Sequence, residues 1–515
     1  MNTIGKPCSM TIHKPLKRSR TRAFLLTLAS GQAHSLITMI VGFLATPILL
    51  QHLGTERFGI WRVLEVWIAY LGLIPQCIGQ AVGFLILPLL TGTDDDRLRR
   101  FVATAAVTSA IVAMLAALAG SVLAPALPSI AAVPTGLEAE TRQAFLIVIW
   151  TTVPLAPFLL LRSAFEADQR GYLVNAILGV TTLLATGLAV LLATSGAGLA
   201  GQAVAIAAGV IFQALLFGLL ALHLYPWIRR PSRPDWANLR GIIQRSLTLV
   251  LLAVLGGVAA RIEYQFVIFF EGPVETANYS LGQRLFLVYG GLVAAVGNSI
   301  WAPLADLYHR GESVCLREQL GRAIRFVAVA GTAGAITLLA TTPSFLRLWV
   351  GDGFDPGPLA RLGFAVTYPL LGINILLTWV LSATAHNRAM LAGTTTYFVV
   401  TLTAGVILGW YHGAGGVAWG TAAGVMSAVV VNLVACRAAF RLPAGRLATE
   451  LLIIAALAVL HGTGLAELIA RLPQLGWLEF FLVLGLGWAG FFVPAVFVVL
   501  SREDRLELRA RLFKH

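Results

Sequence analysis

Apolar runs of about 20 residues or more recur along the whole chain, separated by short polar stretches. Each is long enough to cross a ~30 Å hydrocarbon layer as a helix. None alternates with a period of two over ~10-residue segments, the mark of a transmembrane barrel. The pattern predicts an all-α polytopic membrane protein. Its fourteen spans lie at approximately 24–50, 58–88, 101–125, 143–162, 172–194, 198–226, 246–270, 277–305, 321–349, 358–384, 391–411, 415–440, 447–466 and 476–500.

Composition agrees. Of 515 residues 58% are apolar and 12% charged, where a soluble domain carries about a quarter charged. Residues 1–23 are basic and polar, with no apolar h-region, so no cleavable signal peptide is expected. Four cysteines, Cys8, Cys77, Cys315 and Cys436, have no metal-ligand spacing. Their places in spans and inner segments predict no disulfide.

Charge sets the orientation. With both termini in the cytoplasm, the inner segments and span ends hold 29 of the 37 Lys and Arg. Outer segments hold five (Arg57, Arg142, Arg347, Arg361, Arg471) and three lie within spans (Arg62, Arg261, Arg284). Such a split follows the positive-inside rule. It makes the basic tail a membrane anchor rather than a nucleic-acid contact.

The longest inner loop falls near the middle, and the two sides of it resemble each other weakly. LGTERFGIWRVLEVW follows the first span and EGPVETANYSLGQRLF follows the seventh. Setting Gly59 on Ala277 puts Trp61 on Tyr279 and Glu65 on Gln283. Six spans per repeat bring the second half in from the same side, so the repeat is parallel about an axis along the membrane normal. The expected organisation is a basic cytoplasmic tail at 1–23, a six-helix lobe at 24–226 and a cytoplasmic linker at 227–245. A second six-helix lobe follows at 246–440, then two accessory helices and a basic tail at 441–515.

Charges inside the apolar runs are the candidate chemistry. An ionisable side chain at mid-bilayer costs roughly 3 kcal/mol on insertion scales, so it faces a wet cavity or a partner. Arg62, Glu65, Gln76 and Gln80 share one helical stripe. Arg62 and Glu65, three apart, can pair. The pair either closes the outer end of a bundle or walls a cavity. Arg261 and Glu263 lie in the seventh span and Arg284 in the eighth, at similar depths from the outer turn between them. Either these arginines merely neutralise Glu65 and Glu263, or they line one polar chamber. Gln32, His34, Gln283 and Asn298 could line it too, although a lone polar residue in a span more often bonds a neighbouring helix. His34 is also a candidate proton carrier. There is no GxSxG, HExxH or P-loop, and no loop long enough for a soluble catalytic domain. Neither enzymatic activity nor a cofactor is expected; proton or sodium coupling stays open.

The string TPILLQHLGTERFGIW, with its core at Leu53, Gly54, Phe58 and Gly59, resembles the polysaccharide transporters of the MOP superfamily, the Wzx-type O-antigen flippases. ARIEYQFVIFF, TANYSLGQRL, WAPLADLYHRGE and LRLWVGDGF extend the likeness over about 24–440. The multidrug (MATE) and lipid II flippase branches share this architecture. One departure is Arg261, which stands beside Glu263 where the family often has an acid alone. The resemblance implies an alternating-access transporter in a bacterial inner membrane. It would flip a polyprenyl-diphosphate-linked oligosaccharide (an O-antigen, exopolysaccharide or capsule repeat unit) and work beside a polymerase and chain-length machinery. A drug/cation antiporter on the same fold, or a membrane enzyme of glycan assembly, are the competing readings.

Overall fold

The computed structural model describes residues 18–90, 94–230, 232–472 and 474–499; at 18–21, 24, 84, 226, 227, 238, 245, 246, 248, 249, 296–299, 301, 302 and 444 the backbone alone is described. The basic tail at 1–17 and the final basic segment from 500 lie outside the described residues.

The described chain is helical: α1 Arg18–Leu90, α2 Asp95–Leu123, α3 Leu127–Ile130, α4 Glu138–Ala167, α5 Gly171–Thr194, α6 Gly198–Leu224, α7 Ala237–Ala259, α8 Glu263–His309, α9 Ser313–Val350, α10 Pro358–Ala383, α11 Asn387–Phe440, α12 Ala444–Arg471 and α13 Trp477–Val499. Eleven stretches are long and apolar enough to cross a membrane. Three of them contain a glycine with non-helical angles: Gly54 (φ 77°) in α1, Gly272 (φ 84°) in α8 and Gly413 (φ 54°) in α11. A positive φ costs glycine little and other residues much. Each glycine kinks its helix, and dividing the three stretches there gives fourteen segments, the number the sequence pattern predicts. The alignment that sets Gly59 on Ala277 also sets Gly54 on Gly272, so the same turn stands at the same place in both halves.

Outward faces carry large apolar side chains, among them Leu44, Leu215, Leu219, Leu452 and Leu486, as a lipid solvent requires. Buried threonines return their hydroxyls to the carbonyl four residues back, as Thr104, Thr337, Thr341 and Thr367 do. Polar groups are thereby satisfied without a partner helix. The acidic run Asp94–Asp96 is the start of a helix. Asp94 accepts the Arg97 backbone N–H at 2.9 Å as the N-cap of α2, and Asp95 and Asp96 stand in its first turn.

A first compact unit ends at Ala277 and a second begins at Asn278, inside α8. In the first unit α7 packs on α1 and α2, α5 packs on α1 and α6, and α4 packs on α1, α2 and α6. A polar pin closes the unit at the end of α6. Tyr225 donates to Asp168 at 2.9 Å, and Arg170 bridges to the same carboxylate at 2.7 Å while lying over the Tyr225 ring. In the second unit α9 packs on α10, α12 and α13, and α10 packs on α11. Cys77 and Cys436 are free and buried. Cys315 is disulfide-bonded, which corrects the expectation of no disulfide. It sits in the first turn of α9.

Candidate functional site

The second arm of α1, residues 55–90, carries the polar stripe. Arg62 donates to Glu65 at 2.6 Å, lies 5.9 Å from the Phe58 ring centroid, and hydrogen-bonds the Tyr264 hydroxyl. The pair is partly exposed (20% and 36%). Its gain is mainly that neither charge stands alone among apolar neighbours.

Opposite this arm the seventh span is broken. The expected continuous helix at 246–270 instead ends at Ala259, turns through 260–262 and restarts at Glu263. The turn is tightened, with Arg261 N–H bonding Val258 O and Gln265 N–H bonding Ile262 O, each three residues back. Such a tightened stretch inside a helix is a common hinge. The glycine pair Gly256–Gly257 just before it lowers the cost of leaving the helix. Two helix ends therefore meet inside an apolar run, and the charges complement them. Arg261 stands at the negative end of α7, and Glu263 stands in the first turn of α8, where free backbone N–H groups favour an anion. Glu263 is 4% exposed, whereas Arg261 is exposed.

Side chains of α1 satisfy what the break releases. Tyr70 donates to Val258 O at 3.4 Å and faces both Arg261 and Glu263. Trp67 donates to Gln265 at 2.9 Å, and Gln265 is buried with its amide nitrogen unpartnered. The two elements approach closely at Gly59, where a side-chain carbon would lie 1.9 Å from Pro273 O. That contact explains the second glycine of the LGTERFG string, as the positive φ of Gly54 explains the first. Among the described residues Arg261 makes no ion pair. Its Nη1 reaches Gly257 O at 3.4 Å, a long bond that leaves most of its donors unused.

Further along the same stripe, Gln76 and Gln80 line a cavity of about 410 Å³ within the first unit. Pro75 in α1 and Pro154 and Pro157 in α4 each leave a backbone carbonyl of the surrounding helices without its N–H donor. Ser109, Thr152, Ser163 and Gln213 add hydroxyl and amide groups, and Arg162 and Glu166, paired at 2.8 Å, add charge.

The structure thus brings Arg62, Glu65, Arg261 and Glu263 to one site through Tyr264 and Tyr70. It does not bring Gln32 or His34 there. Gln32 is exposed on α1, and His34 lies beside Gly179 of α5 and faces Arg162, with its Nδ1 buried and unpartnered. Gln283 is buried and Arg284 half-buried on α8 in the second unit. The Asn298 side chain lies outside the described residues. Trp67, Tyr70, Tyr264 and Gln265 were missed in the sequence, although Tyr264 and Gln265 directly follow Glu263. Arg162 and Glu166 were missed because they fall at the inner end of a span. Among the described residues no three His, Cys, Asp or Glu converge as a metal site would need.

No protein-family model matches the sequence, and no curated protein does. Solved structures match its fold. The lipid II flippase MurJ in an inward closed conformation superposes with a TM-score of 0.71 at 12% identity, over 92% of this chain and 99% of its own. An inward-facing multidrug resistance MATE family transporter of the MOP superfamily gives 0.59 at 16% identity, over 81% and 98%. The MATE transporter VcmN of Vibrio cholerae, in its bent form, gives 0.56 at 16%, over 82% and 97%. The chain shares the fold of these structures. All three neighbours are transporters or flippases rather than enzymes.

Proposed function

We propose that this chain is a flippase that carries a polyprenyl-diphosphate-linked oligosaccharide across a bacterial inner membrane by alternating access of two lobes. The extent of the likeness carries the reading. The MATE structures are used up at 81–82% of this chain, whereas the lipid II flippase reaches 92%. The surplus has the size of α12 and α13, 28 and 23 residues. The site chemistry supports it. A diphosphate needs cations with forked donors, which arginine offers, and Arg261 is the candidate in the first unit. Arg62 is held by Glu65 and positions Tyr264. The hydroxyl and amide groups of the cavity suit sugar, and the prenyl chain needs only lipid. The turn at 260–262 is the proposed hinge, flexed while Tyr70 and Trp67 hold its two sides. Glu166 in the cavity wall favours a second reading, a drug/cation antiporter, since a cation needs an acid.

A flipping assay separates the two. In proteoliposomes holding a labelled polyprenyl-diphosphate oligosaccharide, an impermeant glycosidase first reaches only the outer leaflet's sugar. The protein should bring the inner pool within its reach. If the inner pool stays protected while an organic cation is transported, the flippase reading fails and the antiporter stands.

The proposed orientation has its own test. Cysteines at Glu56 and Asp352 should react with impermeant thiol reagents from outside, and cysteines at Asp95, Ser232 and Glu312 should not. Gly54, Gly272 and Gly353 are avoided as reporter sites because their positive φ would strain a cysteine. External labelling at Ser232 would overturn the cytoplasmic linker.

A further inference from the structure

A basic cradle lies in the second unit, remote in sequence from the proposed transport site. Where the starts of α9 and α12 meet, a cavity of about 280 Å³ opens. This is far more than the ~30 Å³ share of one water. Four arginines line it, Arg317, Arg322, Arg325 and Arg446, against two acids, Glu318 and Glu450. Arg317, Gly321 and Arg325 follow at steps of four on one face of α9. Gly321 keeps the floor open, since a side-chain carbon there would meet only the tip of Arg325, at 3.9 Å.

Glu450 fixes the geometry. It accepts from Arg325 at 3.3 Å and from Arg446 at 3.0 Å, and it is itself only 12% exposed. One half-buried acid thus anchors two arginines, in a lining of four arginines and two acids. Arg325 is deep, at 15% exposure, whereas Arg446 is 70% exposed and stands at the mouth. The start of α12 adds to the field. Pro443 is its N-cap and no side chain caps its first backbone N–H groups, which leaves the positive helix end facing Leu442 and Pro443 at the cavity wall. Leu442 and Leu447 make the remaining wall apolar. A cationic recess with an apolar side, at the end of two membrane spans, has the chemistry of a lipid-phosphate site.

We propose that this cradle binds a phosphate-bearing anion, held by Arg317 and Arg322 with Arg446 at its rim. An anionic phospholipid headgroup and free phosphate offer the same chemistry. Native mass spectrometry of the purified full chain, titrated with phosphatidylglycerol and separately with phosphatidylcholine, tests it. Phosphatidylglycerol should bind more tightly than phosphatidylcholine. The double variant Arg317→Gln/Arg322→Gln should weaken phosphatidylglycerol about thirtyfold, and Arg446→Gln, an exposed position that cannot unfold the protein, about fivefold. Inorganic phosphate added as competitor identifies the source. Displacement shows a site for phosphate itself, and retention shows one that needs the lipid body; either agrees with the cradle. If all variants bind phosphatidylglycerol as the wild type does, at unchanged thermal midpoints, the proposal is overturned. Lipid binding is read without transport, so the result is independent of the flippase reading.

Discussion

Arg261→Gln is expected to cut flipping by about ten- to a hundredfold while the protein still inserts and folds. The structural cost is small, because the side chain is exposed and its bond to Gly257 O is long at 3.4 Å. The functional cost is that of a charge-assisted hydrogen bond to phosphate, about 1.5–3 kcal/mol, and each 1.4 kcal/mol is a factor of ten. Lysine at the same position keeps charge but not the fork, so it should recover only part of the rate. The competing explanation is that Arg261 exists to balance the broken helix, as the cation at the end of α7 beside the acid at the start of α8. In that case Arg261→Gln/Glu263→Gln removes both charges and restores flipping. The deciding measurement is the rate of the double variant at matched protein level. Full recovery would sink the binding role, and continued loss with a normal thermal midpoint would support it.

The seventh span shows where sequence and structure part. Hydropathy over 246–270 predicts one helix, because Ala259, Ala260 and Ile262 are as apolar as their neighbours. What breaks the helix is local hydrogen bonding at Val258 and Ile262, together with the fit of Tyr70 and Trp67 against it. None of these has a period along the chain. The charges Arg261 and Glu263 were legible, but as isolated charges in a span rather than as the complements of two helix ends. The turns were legible for the opposite reason. Gly54, Gly272 and Gly413 each sit in a short polar interruption between apolar runs, where both composition and backbone conformation ask for a break. The pairing of Arg62 with Glu65 could be read from a spacing of three. The bonds joining Trp67 to Gln265 and Tyr70 to Val258 could not, since they depend on which helices become neighbours. Arg162 and Glu166 look like an ordinary span end until the packing of α1, α2 and α4 leaves a cavity beside them.

Gly420→Ala is expected to destabilise the protein by at least about 2–3 kcal/mol, and Gly420→Val to prevent its folding. The two arms of α11 lie antiparallel across the turn at Gly413, and their backbones touch. A side-chain carbon at Gly420 would stand 2.4 Å from the Cα of Gly405. At Gly416 it would stand 1.9 Å from Leu408 O. Carbon atoms prefer about 3.5–4.0 Å, so the arms must separate by roughly 1 Å or more, and no flexible side chain can give way. In lipid, helix association depends on such close packing rather than on hydrophobic burial. Overpacking a well-packed core usually costs about 1–3 kcal/mol; here it falls on the main chain of both arms, out of a total stability of about 5–15 kcal/mol. Gly416, Gly420 and Gly424 stand at steps of four on one face of the second arm. Gly485 of α13 is the control. It is exposed, with nothing within 4 Å of the added carbon, and alanine there should be neutral or stabilising by up to about 1 kcal/mol. Thermal midpoints and monodisperse yield in one detergent check the pair. Equal behaviour of Gly420→Ala and Gly485→Ala would mean that the arms of α11 do not pack backbone to backbone.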